Sequence, residues 1–174
     1  SWEAFYIDFT GEKIYQLAKD AAELGIDLLV LDDGWFGNRF DDNRALGDWV
    51  VNEEKLGCSL GELVQKVNDL GMKFGIWIEP EMVNPDSDLY RAHPDWVMRD
   101  PNRDVLLSRD QLVLDMANPE VVEYLKQSLD KCFSNIEIDY FKWDMNRNIT
   151  HAISPYLPIE RKDETQFRYM LGVY

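Results

Sequence analysis

Three short stretches concentrate the groups able to do acid–base or nucleophilic chemistry: Asp32-Asp33-Gly34-Trp35, Trp77-Ile78-Glu79-Pro80-Glu81-Met82 and Lys142-Trp143-Asp144-Met145-Asn146-Arg147. In the third, a strand period of two puts Lys142, Asp144 and Asn146 on one face and Phe141 and Trp143 on the other. An ammonium close to a carboxylate favours the ionised acid, so Asp144 is a candidate nucleophile with Lys142 beside it; a structural Lys/Asp pair at a strand end gives the same pattern. Asp32 and Asp33 are two acceptor-only groups on a turn, suited to gripping sugar hydroxyls, although Asp-Asp-Gly alone equally fits a solvated turn. Trp77 and Glu79 share a face, and a tryptophan at a strand end is either core or a platform for the apolar face of a sugar. Trp2, Trp35 and Trp49 fall near the same segments, and six tryptophans are many for 174 residues. Aromatic platforms among carboxylates suggest a carbohydrate ligand.

Other chemistries have less support. His93 and His151 lie in loops without a Ser or Cys partner at triad spacing. Cys58 and Cys132 are far apart with no CxxC or Cys/His pattern, which fits small apolar residues and a reducing cytoplasm rather than a disulfide or zinc. No P-loop and no GxGxxG occurs, so no cofactor is expected. Thirty-three acidic against 18 basic residues give a formal charge of −15, which counts against nucleic acid and anionic membrane as partners. Asp41-Asp42, Glu53-Glu54 and Asp86 to Asp88 read as solvated loop faces. Asp32, Asp33, Glu79 and Glu81 could instead be Mg²⁺ ligands, but Lys142 among them speaks against a metal.

The elements that must hold these residues alternate. Residues 4–9 are aromatic and β-branched and predict a strand, followed by a helix from Thr10 to Leu24 with Gly25 as its stop. Residues 26–31 predict a buried strand, 59–70 a helix ended by Gly71, and 73–78 a further strand. Asn118-Pro119 opens a helix to Phe133, and 136–143 is a fourth strand. The reading is α/β with parallel βαβ units joined by right-handed crossovers. The long loops after residues 31 and 78 are where function is expected. Four such units are half of what a closed (β/α)₈ barrel requires.

Asp32-Asp33-Gly34-Trp35-Phe36-Gly37, Leu46-Gly47-Asp48-Trp49, Trp77-Ile78-Glu79-Pro80-Glu81-Met82-Val83 and Lys142-Trp143-Asp144-Met145-Asn146-Arg147, with Trp2-Glu3-Ala4 before them and His93-Pro94-Asp95-Trp96 between, together resemble the α-galactosidases of glycoside hydrolase family 36. The resemblance runs over essentially the whole chain. It implies residues 1–174 as the first half of a TIM-barrel catalytic domain, and a retaining enzyme acting on melibiose, raffinose and stachyose. By the same resemblance the nucleophile falls on Asp144, and the galactose pocket on Asp32, Asp33, Trp77, Arg109, Lys142 and Asn146, with Trp2 at the edge. Trp35, Trp49, Glu79 and Glu81 are secondary candidates. The family's acid/base aspartate is expected beyond residue 174, and its β-sandwich before residue 1. The full-length enzyme is expected to be a homo-oligomer, such as a tetramer. An α-N-acetylgalactosaminidase, a raffinose-synthase-type transferase and a non-catalytic sugar-binding half-barrel remain as alternatives.

Overall fold

The computed structural model describes residues 1–174, which cluster into two compact units. The first comprises Ser1–Asp42, Val50–Ile78 and Asp130–Asp144. Its centre is a parallel sheet, β1 (Leu28–Leu31), β2 (Lys73–Ile78) and β5 (Tyr140–Trp143), in the order β1-β2-β5. The α/β class is as the sequence indicates. Two helices cover the sheet, α2 (Gly11–Glu23) and α4 (Leu60–Asn68). Thr10 caps α2 by accepting from Lys13 N–H, and Ser59 with Glu62 forms a capping box on α4, which satisfies orphan donors at both starts. Ile14 and Ala18 of α2, and Leu63, Val64 and Val67 of α4, are buried against strands whose Leu29, Leu31, Phe74 and Ile76 are buried in turn. A four-residue helix α3 (Glu53–Leu56), capped by Asn52, interrupts the loop after β1 and was not evident from periodicity.

The strand expected over residues 4–9 does not form. Residues 2–5 make a short helix, α1 (Trp2–Phe5), and the next amides close local turns, Asp8 N–H on Phe5 O and Phe9 N–H on Ile7 O. The free edge of β1 is taken by Ser1, whose nitrogen donates to Val30 O at 2.8 Å and whose Oγ accepts from Asp32 N–H at 3.0 Å. A strand needs a partner ladder, and residues 4–9 have none. The parallel strands therefore number three, not four.

The second unit comprises Asn43–Trp49, Glu79–Leu129 and Met145–Tyr174. It holds a small antiparallel pair, β3 (Met82–Val83) with β4 (Leu112–Val113), the short helix α5 (Asp88–Ala92) and a C-terminal helix α7 (Thr165–Val173) preceded by a 3₁₀ turn, Ile159–Glu164. Helix α6 (Pro119–Phe133) leads from this unit into the first and begins at the expected proline, with Asn118 Oδ1 accepting from Glu120 N–H. No helix is long and apolar enough to cross a membrane.

Candidate active site

The first unit gathers the carboxylates at the C-terminal ends of its parallel strands, where ligands bind in open α/β sheets. Asp32 and Asp33 follow β1 directly and are both buried. Their side chains diverge. Asp32 Oδ1 accepts from Asp33 N–H at 3.0 Å, and its Oδ2 lies 2.7 Å from Lys142 Nζ, an ion pair between a buried carboxylate and a half-exposed ammonium. Asp33 is gripped by Arg39, Nε to Oδ1 at 2.9 Å and Nη2 to Oδ2 at 2.7 Å. This two-toothed, charge-assisted arrangement is the strongest and most directional that a carboxylate can make with a side chain. Arg39 is itself 1% exposed, and its Nη1 donates to Asp42 O at 3.1 Å.

Lys142 is the register partner of Trp77 across β2 and β5. Two residues further on, Asp144 leaves the sheet half-buried, its N–H bonded to Ile78 O at 2.8 Å. The Trp77 indole Nε1 donates to Asp144 Oδ2 at 3.0 Å. This corrects one expectation: Lys142 reaches Asp32, and it is Trp77 that holds the carboxylate of Asp144.

The tryptophans are corrected as well. Trp35 and Trp77 are 0% and 2% exposed, so neither offers a ring face as a sugar platform in this structure. Phe36 lies over Trp77 with the rings nearly parallel, and Trp35 Nε1 donates to Trp77 O at 2.9 Å. These rings are core that aims the polar edge of Trp77. Trp49, in the second unit, is likewise buried. Trp2 retains partial exposure and meets Tyr6 edge to face.

In the second unit, Glu79 is 1% exposed and accepts from Gln111 Nε2 at 3.2 Å and from Asn146 N–H. Glu81 accepts from the buried Tyr169 hydroxyl, and burial with that carboxylate alongside pushes the phenol far above its usual range. Asn146 lies past the end of β5, not on it. Arg109 is exposed at the tip of a hairpin turn closed by Ser108 and Gln111, and both Arg109 and Asp110 have positive φ, 53° and 54°. Two non-glycine residues in that conformation are strained, a state that persists only where surroundings impose it. Here Asn84 Nδ2 donates to Asp110 O at 2.7 Å, and the buried Arg147 donates to the carbonyls of Leu106 and Gln111.

The Mg²⁺ alternative meets a chemical obstacle, because each of its four carboxylates is engaged: Asp32 by Lys142, Asp33 by Arg39, Glu79 by Gln111 and Glu81 by Tyr169. The acidic loop residues Asp41, Asp42, Glu53, Glu54, Asp86 and Asp88 are exposed as expected, and His93 stacks on Trp96 at 3.7 Å. Both cysteines are free. Sequence reasoning passed over Arg39, Lys55, Gln111 and Tyr169. For Arg39 the one available signal was an isolated cation in a loop of acids, which does not tell a buried clamp from a surface residue.

The sequence profile described as Melibiase matches residues 1–174. Alpha-galactosidase AgaA of Geobacillus stearothermophilus is 53% identical over 174 residues, covering 100% of this chain and 24% of AgaA. The crystal structure of the GH36 alpha-galactosidase AgaB from the same organism superposes with a TM-score of 0.95 at 54% identity, over 99% of this chain and 24% of AgaB. A crystal structure of an AgaA variant in complex with raffinose matches with a TM-score of 0.95 at 53% identity, over 100% of this chain and 24% of that one. The chain thus spans about a quarter of the length of the curated relatives it matches.

Proposed function

The chain belongs to the melibiase family, and from that premise we propose that it is the nucleophile-bearing part of an α-galactosidase, contributing three parallel strands to a (β/α)₈ catalytic barrel. The observation that carries the reading is Asp144 itself: a half-buried carboxylate at a strand end, aimed by an indole N–H from the neighbouring strand, two residues beyond a lysine that is tied to buried Asp32. The open sheet β1-β2-β5 is consistent with a barrel. Both outer edges lack a strand partner, and Tyr140, Phe141 and Trp143 of β5 are each more than 40% exposed, an apolar surface that further strands and helices would cover.

In this reading the carboxylate of Asp144 attacks the anomeric carbon and forms a glycosyl ester, while a second carboxylate from beyond residue 174 protonates the departing oxygen and then activates water. The Trp77 N–H fixes the rotamer of the nucleophile before attack, so the orientation cost is met in the folded state. Asp32 and Asp33 retain acceptor capacity beyond their cations, since a carboxylate has about four lone-pair sites; they take ring hydroxyls and Lys142 donates to others, with Trp2 as a further contact. A strained turn that presents Arg109 suits a donor held ready for a ligand. Raffinose, bound by the AgaA variant, and melibiose, the family's namesake, represent the substrate class.

The test uses the complete enzyme. Hydrolysis of an aryl α-galactoside followed by NMR gives α-galactose as the first product if two displacements occur, and a fluorinated galactosyl donor labels the peptide containing Asp144. First-formed β-galactose, or label on another residue, overturns the mechanism.

A further inference from the structure

The loop from Gly34 to Arg39 is held from one side by the short helix α3. Lys55 Nζ donates to Gly34 O at 2.7 Å and to Arg39 O at 3.0 Å, so one ammonium ties the two ends of the loop together. Asn52, the helix cap, donates from its side chain to Gly37 O at 2.6 Å and from its N–H to Trp35 O at 2.9 Å. Gly34 has φ +110°, and a Cβ there would lie 3.1 Å from Lys55 Nζ, so the close approach of the ammonium uses a position where a side chain would be both strained and crowded. The loop held in this way ends at Arg39, the residue clamped on both oxygens of Asp33.

We propose that Lys55 is a positioning residue for sugar binding: its ammonium closes the Gly34–Arg39 loop so that Arg39 is seated on Asp33, and sugar affinity falls when that ammonium loses its proton. The proposal rests on Asp33 being a sugar-hydroxyl acceptor. Lys55 sits over the rings of Phe9 at 4.6 Å and Phe40 at 5.4 Å, which reward a cation but do not hydrate it. Burial pushes its pKa down to about 8; Asp33 on the loop and Asp8 on the segment before α2 oppose the fall, and Arg39 adds to it. Glu53 and Glu54, on its own helix, are exposed. A neutral amine keeps donors for both carbonyls, but such bonds are about half as strong without the charge.

The sign of the accompanying stability term separates this effect from unfolding. A lysine at about 8 when folded and near 10.5 when unfolded leaves the unfolded chain holding more protons between those values, so this group's contribution to stability rises with pH across that window. Affinity and stability move in opposite directions.

The experiment measures KM and kcat for an aryl α-galactoside, and the Kd of galactose by calorimetry, on the complete enzyme from pH 6.5 to 9. Wild-type KM and Kd should rise together by about three- to tenfold between pH 7 and 9, and calorimetry in buffers of different ionisation heat should show proton uptake on binding near pH 8. Lys55→Met should show raised KM already at pH 6.5 and no further rise, and Lys55→Arg, which stays protonated, should lack the alkaline rise. Persistence of that rise in Lys55→Met overturns the proposal. So does a wild-type Kd that is level from pH 7 to 9 or binding without proton uptake, neither of which depends on a variant folding. A level Kd with clear galactose binding leaves the functional reading intact, whereas no galactose binding at pH 6.5 overturns both.

Discussion

The indole Nε1 of Trp77 donates to Oδ2 of Asp144 across 3.0 Å, although 67 residues of chain separate them. Trp77 is fully packed and Asp144 half-buried, so a rigid donor aims a carboxylate that stays partly open to solvent. A preset carboxylate geometry has consequences that can be measured in the complete enzyme.

Asp144→Ala should lose at least about 10³-fold in kcat, as removal of an essential nucleophile does. Added azide should restore part of the rate by attacking the anomeric carbon from the emptied side. Turnover close to wild type would exclude Asp144 as the nucleophile.

Trp77→Phe keeps an aromatic ring but deletes the N–H. A hydrogen bond to a charged group contributes about 1.5–3 kcal/mol, so kcat should fall about 10- to 100-fold while KM changes less. Equal losses in KM and none in kcat would mean that Trp77 acts on the sugar and not on Asp144.

Arg39→Met leaves the Asp33 carboxylate buried without its cation. Breaking a buried pair from one side costs about 3–5 kcal/mol, visible as a lower urea midpoint at unchanged slope. Asp33→Asn should in addition narrow the preference for aryl α-galactoside over aryl α-glucoside, since a site built to pair a hydroxyl discriminates through that pairing. An unchanged ratio would remove Asp33 from the specificity pocket.

Tyr169→Phe deletes the hydroxyl that donates to buried Glu81. Leaving a buried acceptor short of its donor costs about 1–3 kcal/mol, to be read by chemical denaturation, with galactoside KM unchanged within about twofold if Glu81 is structural. A marked rise in KM would give Glu81 a place in the site.

Residues 1–174 expressed alone should self-associate and fail to hydrolyse an aryl α-galactoside. The outer edges of β1 and β5 have no strand partner and Tyr140, Phe141 and Trp143 are exposed, which favours pairing between copies. In the proposed reading the acid/base carboxylate comes from outside these residues, and its help is worth about 10²–10⁴-fold. A soluble monomer with turnover, judged by light scattering and assay, would contradict both statements.

Features with a local cause could be read from the order of residues alone. Helices α2, α4 and α6 and strand β2 lie where apolar period, caps and glycine stops put them, because each signal acts within a turn or a few residues; β1 and β5 form only over the last four residues of the stretches 26–31 and 136–143. The candidate carboxylates and cations at strand ends were legible for the same reason. Features without a local cause emerge from long-range packing. Residues 4–9 have strand-forming side chains but no neighbour to bond, and β3 and β4, two residues each, are too short to carry a period. The pairing of charges was equally invisible. Lys142 stands two residues from Asp144 in sequence, yet its ammonium meets Asp32, 110 residues away, because the register that sets Lys142 beside Trp77 turns it toward the end of β1 and gives Asp144 to the indole. Which cation reaches which carboxylate depends on strand order and register, and those are settled by long-range packing that no one-dimensional spacing encodes.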